Sequence, residues 1–174
     1  MTKVLTIRPF PLIGLTCLIT AAVLAVLALA DSPWVNADRY SLSLWQQCKL
    51  HSDSKVWHCK DARTTDWKVW TIALMFIGLI ITIACALLAL WSLCKGSYKF
   101  NKIIGGLVCV AVLLQLTALI LYAVRFVDET VLHTYHEFAW GYGIGWGSTI
   151  FLIGAAVFFF LKSHSYHSPK QINH

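Results

Sequence analysis

The chain is organised around one polar interval between apolar segments, and its deciding residues read Trp34 … Leu44-Trp45-Gln46-Gln47-Cys48 … Trp57-His58-Cys59. This stretch holds two of the six cysteines and three of the eight tryptophans. The rest of the chain consists of long apolar segments, short turns and a terminal tail. If Cys48 and Cys59 are joined, the interval lies outside the cell, and the topology of the whole chain follows.

Composition places the chain in a membrane. Of its 174 residues, 58% are hydrophobic and only 13% are charged, whereas a soluble domain carries about 25% charged residues. The net charge of +6 does not indicate nucleic-acid binding, because the basic residues lie beside apolar segments and form no long run. The class is therefore integral membrane protein, with the lipid bilayer as its solvent.

Four apolar segments are long enough to cross a bilayer as helices: residues 12–30, 69–93, 103–124 and 142–161. The first covers about 28 Å at about 1.5 Å per residue. A cleaved signal peptide is the alternative for this segment, because Ala28-Leu29-Ala30 resembles a cleavage site. Its apolar run exceeds the roughly 7–15 residues of a signal core, which favours a span. We expect one four-span domain over residues 12–161.

Charge predicts the orientation. Residues 1–11, the turn 94–102 and the tail 162–174 hold seven Lys and Arg and no acids, while the loops 31–68 and 125–141 hold seven Lys and Arg and all eight acids. The basic residues of the first side are concentrated in shorter segments, where the positive-inside rule is most reliable. Both termini are therefore predicted to be cytoplasmic. The basic turn would contact anionic lipid, or simply signal topology.

Cys48 and Cys59 are the only cysteines in the predicted outer loops. A bridge between them would span a small hairpin and stabilise this core-poor loop by about 2–4 kcal/mol. A metal site with His51 and His58 is the alternative, but adjacent His and Cys ligands match no usual zinc spacing. The sequence favours the disulfide.

Cys94 lies at the inner end of the second span, where reversible acylation is a candidate modification and a buried thiol is the alternative. The other three cysteines lie within spans and are interpreted as core or lipid-facing residues: Cys17, Cys85 and Cys109.

The polar interval also predicts a small antiparallel sheet. In Tyr40-Ser41-Leu42-Ser43-Leu44-Trp45, alternation places Tyr40 and the leucines on one face, opposite Trp45. Residues 55–59 form a second β-prone segment after a polar turn at 49–54. We expect Trp34 and Trp45 to seat this sheet on the helix ends. Ordinary tryptophans at the membrane interface are the alternative.

Glycines alternate at the start of the fourth span, at Gly141, Gly143, Gly145 and Gly147. Their four-residue spacings allow close helix approach, and we expect packing within the bundle rather than dimerisation. A nucleotide-binding fingerprint would need a preceding strand. In the third span, Gln115 is expected to hydrogen-bond another helix.

No catalytic set is apparent. The spans contain no Asp, Glu, Lys, Arg or His, and no Cys-x-x-Cys motif occurs. His133, His136 and Glu137 could cluster, but a solvated loop is the favoured interpretation over a metal site. We therefore expect no enzymatic activity, no cofactor and no metal.

The first-loop residues resemble those of the claudin and peripheral myelin protein superfamily: Trp34, Leu44-Trp45, Cys48 and Cys59, with Ser43 in place of the usual glycine. The resemblance covers nearly all of residues 12–160. The finer likeness is to the branch that contains transmembrane protein 47, with PERP-like proteins next. It is carried by Ser32-Pro33-Trp34-Val35, Trp57-His58-Cys59, Tyr135-His136-Glu137-Phe138-Ala139-Trp140-Gly141-Tyr142-Gly143 and Trp146-Gly147-Ser148-Thr149-Ile150-Phe151.

The resemblance implies an all-α membrane protein, a left-handed four-helix transmembrane bundle, with a small extracellular β-sheet. It implies the plasma membrane at adherens or tight junctions, and a role in cell adhesion. Implied partners are further copies or related four-span proteins, and cadherin–catenin and actin components. The first loop is shorter than in pore-forming claudins, and residues 171–174 lack the apolar terminus that PDZ domains accept, so neither a paracellular pore nor PDZ docking is expected. An auxiliary subunit of an ion channel, which shares the first-loop signature, and a PERP-like apoptosis effector are the alternatives.

Overall fold

A computed structural model of the chain describes residues 9–30, 33–37, 40–50, 56–61, 66–95, 100–130 and 137–165. These ranges contain four helices, α1 (Pro9–Leu29), α2 (Asp66–Lys95), α3 (Asn101–Thr130) and α4 (Trp140–Ser165), and five strands, β1 (Pro33–Ala37), β2 (Tyr40–Ser43), β3 (Gln46–Leu50), β4 (Trp57–Asp61) and β5 (Glu137–Phe138). Residues 1–8, His51, His133, His136 and residues 166–174 lie outside the described residues, so the interpretations attached to them stay predictions.

All four helices are long and apolar enough to cross a membrane, which confirms the expected four-span architecture. The helices are longer than the apolar segments, most clearly α3, which continues to Thr130 although the predicted loop begins at residue 125. The extension has a packing reason, because Phe126 is only 4% exposed and belongs to the core beneath the sheet. The length of the apolar segment reflects the thickness of the membrane core, whereas tertiary contacts determine where the helix ends.

The helices pack in a ring in which α1 contacts α4 and α2, and α3 contacts the same two helices. Small side chains face inward on α1, where Ala21, Ala25 and Ala28 are fully buried and recur about once per helical turn. Large apolar side chains cover the outer surface, as in Ile80 and Leu113. This distribution suits a bundle surrounded by lipid, because small inward residues let helix backbones approach closely.

A polar cluster links three helices inside the bundle. The Ser148 hydroxyl of α4 donates to the Ala21 carbonyl of α1 at 2.9 Å, and the Gln115 Oε1 atom of α3 lies within hydrogen-bond distance of the Ser148 (3.2 Å) and Thr149 (3.3 Å) hydroxyl groups of α4. The expected contact of Gln115 with another helix is therefore present. The remaining helix, α2, makes room for Gln115 at Gly78, because a Cβ atom at Gly78 would lie 3.1 Å from the Gln115 Cγ atom.

The strands form one antiparallel sheet with the order β4-β3-β2-β1-β5. The second loop supplies its own edge strand, since Phe138 of β5 pairs with Val35 of β1. The expected sheet is present, and it includes residues that the sequence pattern assigns to a turn. Lys49 and Leu50, expected in a turn, belong to β3, because cross-strand pairing with β2 and β4 outweighs their weak local preference.

Register assigns the faces of the sheet. Buried Val35 and Leu42 are cross-strand partners, and Leu42 is in turn opposite Gln47, so all three lie on the face directed at the bundle. The same face continues to Lys60 on β4. Every residue of β4 is exposed. The hairpin of β3 and β4 therefore projects beyond the part of the sheet that the helices cover.

The four glycines of α4 do not behave alike. A Cβ atom at buried Gly145 would lie 3.0 Å from the Leu119 Cδ2 atom of α3 and 4.0 Å from the Ala28 Cβ atom of α1, whereas at Gly147 the nearest contact is an ordinary 3.7 Å. Gly141 is buried. Gly143 is exposed, and no heavy atom of the described residues lies within 4 Å of its Cβ position. The interpretation of Gly143 as a packing residue within the bundle is therefore wrong, because it lies on the outer side of the helix.

The two alternating glycines provide a matched test. Gly145→Leu should lower the free energy of unfolding by about 1–3 kcal/mol, the usual cost of overpacking, because the new side chain collides with α3. Gly143→Leu, with the same change in helix propensity, should leave stability within about 0.5 kcal/mol. Thermal unfolding of the detergent-purified proteins measures both. Equal losses in the two variants would contradict the assignment of faces.

Candidate functional site

The sheet is attached to the bundle at the carboxyl end of α1. The last carbonyls of a helix have no amide partner within it, and here two tryptophan side chains supply donors. The Trp34 Nε1–H group donates to the Ala28 carbonyl at 2.9 Å, and the Trp45 Nε1–H group donates to the Leu29 carbonyl at 2.6 Å. These two side chains therefore cap α1 with groups that belong to the sheet.

The turn between β2 and β3 directs Trp45 toward the helices. β2 ends at Ser43, whose Oγ atom accepts a hydrogen bond from the Gln46 amide at 3.0 Å. Leu44 is fully buried in the core beneath the sheet, and Trp45 packs against the same core. The expectation that Trp45 lies on the face opposite Leu44 is therefore wrong, because strand alternation stops at Ser43. The serine that replaces the usual glycine closes this turn through its hydroxyl.

An aromatic cluster surrounds Trp34 and was not identified from the sequence. Its ring centroid lies 4.7 Å from that of Tyr122 on α3 and 5.7 Å from that of Tyr142 on α4. Phe138 of β5 stacks on Tyr142 at 4.6 Å, and Trp67 of α2 lies 5.6 Å from Tyr122. The cluster joins three helices to β1 and to the edge strand β5. The signal available in the sequence was Tyr122, a tyrosine near the end of the third span.

The tryptophans near the two ends of α2 divide into two kinds. Trp67 is half-buried in the aromatic cluster, whereas Trp70 and Trp91 are 66% and 60% exposed on the outside of α2. The latter two have the outward position expected of tryptophans near the two membrane surfaces.

The outer hairpin is held by a disulfide between Cys48 and Cys59. The two residues are direct cross-strand partners on β3 and β4, with Cα atoms 4.0 Å apart. Both sulfur atoms are used in this bond, so the alternative metal site that included His58 loses its thiolate ligands. Since β4 touches the bundle little, the covalent link supplies the restraint that a core would otherwise provide.

Cys94 lies at the other end of the bundle, in the last turn of α2, with an exposed side chain. The neighbouring Lys95 Nζ atom lies 4.5 Å from the centroid of the Trp91 ring, an arrangement that suits the boundary between lipid chains and water. The thiol is thus accessible and not buried. Its acylation stays a prediction.

These features define a class: a four-helix membrane protein whose disulfide-stapled sheet is seated on one end of the bundle by tryptophans. The sequence model of the PMP-22/EMP/MP20/Claudin family matches residues 10–159, and the chain belongs to this family. The chain is similar to the "p53 apoptosis effector related to PMP-22" of Danio rerio, with 37% identity over 147 residues that cover 82% of this chain and 78% of that protein. The expected superfamily is confirmed, whereas the finer likeness to the transmembrane protein 47 branch has no specific support.

The capping role of the tryptophans can be separated from their bulk. Trp34→Phe keeps an aromatic ring but removes the buried hydrogen bond from the Nε1–H group to the Ala28 carbonyl, so the free energy of unfolding should fall by about 1–3 kcal/mol. Trp45→Phe should lose less, because the Trp45 side chain is only partly buried. Trp70→Phe is the control, since this ring is exposed. Thermal unfolding compares the three, and a loss for Trp70→Phe as large as that for Trp34→Phe would refute the capping account.

Proposed function

We propose that this protein is a plasma-membrane protein of cell–cell junctions that contributes to adhesion through its sheet. The observation that carries the proposal is the exposed strand β4, which lies at the edge of the described sheet. Two large apolar side chains are exposed at its beginning, Val56 (52%) just before the strand and Trp57 (49%) as its first residue. A strand at the edge of a sheet can pair with another chain, and tryptophan is enriched among residues that dominate protein interfaces.

Further copies or related four-span proteins are the partners that fit this edge. The polar loops carry seven basic and eight acidic residues, and this near balance avoids strong repulsion between like molecules. The resemblance adds a connection to cadherin–catenin and actin components on the opposite side of the membrane. That connection would involve the terminal segments and the turn between α2 and α3.

The proposal requires that the sheet be extracellular and both termini cytoplasmic. The disulfide supports this orientation, because such bonds form and persist in oxidising compartments. Lys95, in the last turn of α2 at the end opposite the sheet, agrees with the positive-inside rule.

The cysteine pair allows a direct test of the side of the membrane on which the sheet lies. A membrane-impermeant reductant applied to intact cells, followed by an impermeant maleimide, should label the wild-type protein. The double variant Cys48→Ser, Cys59→Ser should show no such label, which identifies the labelled thiols. Labelling of the wild-type protein only after permeabilisation would place the sheet inside the cell and contradict the proposed topology.

An apoptosis effector at the plasma membrane is the second candidate function. It is favoured by one observation, the 37% identity over most of both chains to the apoptosis effector of Danio rerio. The two functions differ in what expression should do to a cell. A junction protein should change contacts between living cells, whereas an effector should activate caspases even in isolated cells.

The deciding experiment images the tail-tagged protein in polarised epithelial cells beside cadherin and a barrier-junction marker. We expect enrichment at cell–cell borders, reduced several-fold by Trp57→Ala through loss of the edge contact. Phe100→Ala is the matched control, because this ring is 51% exposed at the other end of the bundle.

Uniform or intracellular staining of the wild-type protein, with the disulfide intact, would refute the junctional role. Caspase activation in isolated cells without enrichment at borders would replace it with the effector function. Equal border enrichment of wild type and Trp57→Ala would keep the location but exclude the edge of β4 as the contact.

A further inference from the structure

The disulfide between Cys48 and Cys59 lies on the face of the sheet that is directed away from the bundle. The two cysteines continue a cross-strand row that begins with Asn36 on β1 and Ser41 on β2. Because side chains alternate between the faces of a strand, this row is opposite the one that contains buried Leu42. The Ser41 hydroxyl donates to the Asn36 Oδ1 atom at 3.1 Å in an exposed position. The disulfide thus belongs to a polar face, outside the core beneath the sheet.

The two sulfur atoms differ in access. Cys59 is exposed on β4, the edge strand of the described sheet, whereas Cys48 is half-buried on β3, between β2 and β4. In thiol–disulfide exchange a thiolate attacks one sulfur in line with the bond, and the other sulfur leaves. Since the bond joins neighbouring strands, a thiolate that attacks Cys48 would approach over Ser41 of β2. A thiolate that attacks Cys59 approaches from beyond β4, where none of the described strands lies.

Exposed disulfides are more readily reduced than buried structural ones. We propose that this disulfide is an exchange site for an extracellular dithiol protein of the thioredoxin class, attacked at the Cys59 Sγ atom. The first thiolate of the dithiol forms a mixed disulfide with Cys59, and Cys48 leaves as a thiolate that takes a proton from water. The second thiolate of the dithiol then attacks its own partner's sulfur in the mixed disulfide and releases Cys59. The pair in the sheet gains two electrons, and the dithiol is oxidised to a disulfide.

Reduction should loosen β4 and leave the rest of the sheet in place. Among the described strands β4 pairs only with β3, and every residue of β4 is exposed, so little buried surface holds it. The attachment of the sheet to α1 depends on Trp34 and Trp45, neither of which lies on β4. The disulfide is therefore a local switch for the strand that carries Trp57. Its effect on cell contacts rests on the proposed function, whereas the exchange chemistry does not.

A thioredoxin whose second active-site cysteine is replaced by serine traps the mixed disulfide. It is mixed with the oxidised full chain in detergent without denaturant, and the products are quenched in acid, blocked with maleimide and digested with trypsin. The digest separates the two cysteines, because Lys49 and Lys55 lie between them. Thioredoxin should be found on the Cys59 peptide at least about tenfold more often than on the Cys48 peptide. The double variant Cys48→Ser, Cys59→Ser is the control and should form no complex.

Hydrogen–deuterium exchange mass spectrometry measures the response of β4 in the wild-type chain after reduction by excess dithiol thioredoxin. Amides of residues 57–61 should exchange at least about tenfold faster, and those of residues 33–37 should change by less than about twofold. The proposal is overturned if thioredoxin leaves the disulfide intact, if the complex forms on Cys48, or if β4 exchanges equally in both forms. Equal acceleration of β1 and β4 also overturns it. These results do not depend on where the protein lies in a cell, so they leave the junctional role to the imaging experiment.

Discussion

The end of α1 sets the constraint on which the rest of the structure depends. A helix that leaves a bilayer ends with carbonyl groups that need donors, and here the Trp34 and Trp45 side chains supply two of them. Because Trp34 lies on β1 and Trp45 in the turn between β2 and β3, satisfying the helix end also fixes the sheet on the bundle. The aromatic cluster around Trp34 extends this attachment to α3, α4 and β5. One local requirement of the backbone thus joins the membrane part to the part outside it.

Inside the membrane a different kind of contact gives the bundle its specificity. Lipid chains are as apolar as leucine, so burial of apolar surface distinguishes one helix arrangement from another only weakly. The bundle relies instead on close approach at Gly78 and Gly145 and on hydrogen bonds at Gln115. These contacts connect all four helices near the same depth, and they tolerate little change in register.

Beyond the bundle, the hairpin of β3 and β4 has few apolar contacts to hold it. The bond between Cys48 and Cys59 restrains this hairpin while leaving its edge and faces open. The same geometry leaves β4, with Trp57 at its beginning, exposed at the edge of the described sheet.

The sequence by itself determined the features that depend on composition and local pattern. The long uncharged segments predict four membrane spans. The two cysteines in the polar interval predict their disulfide, and the pattern of Trp34, Leu44 and Trp45 indicates the family. Tertiary structure alone decided which glycine packs, because Gly143 and Gly145 have the same pattern but lie on different sides of α4. It also decided that Trp45 turns inward and that β5 joins the sheet. Such outcomes depend on partners distant in the chain, which local preference does not encode.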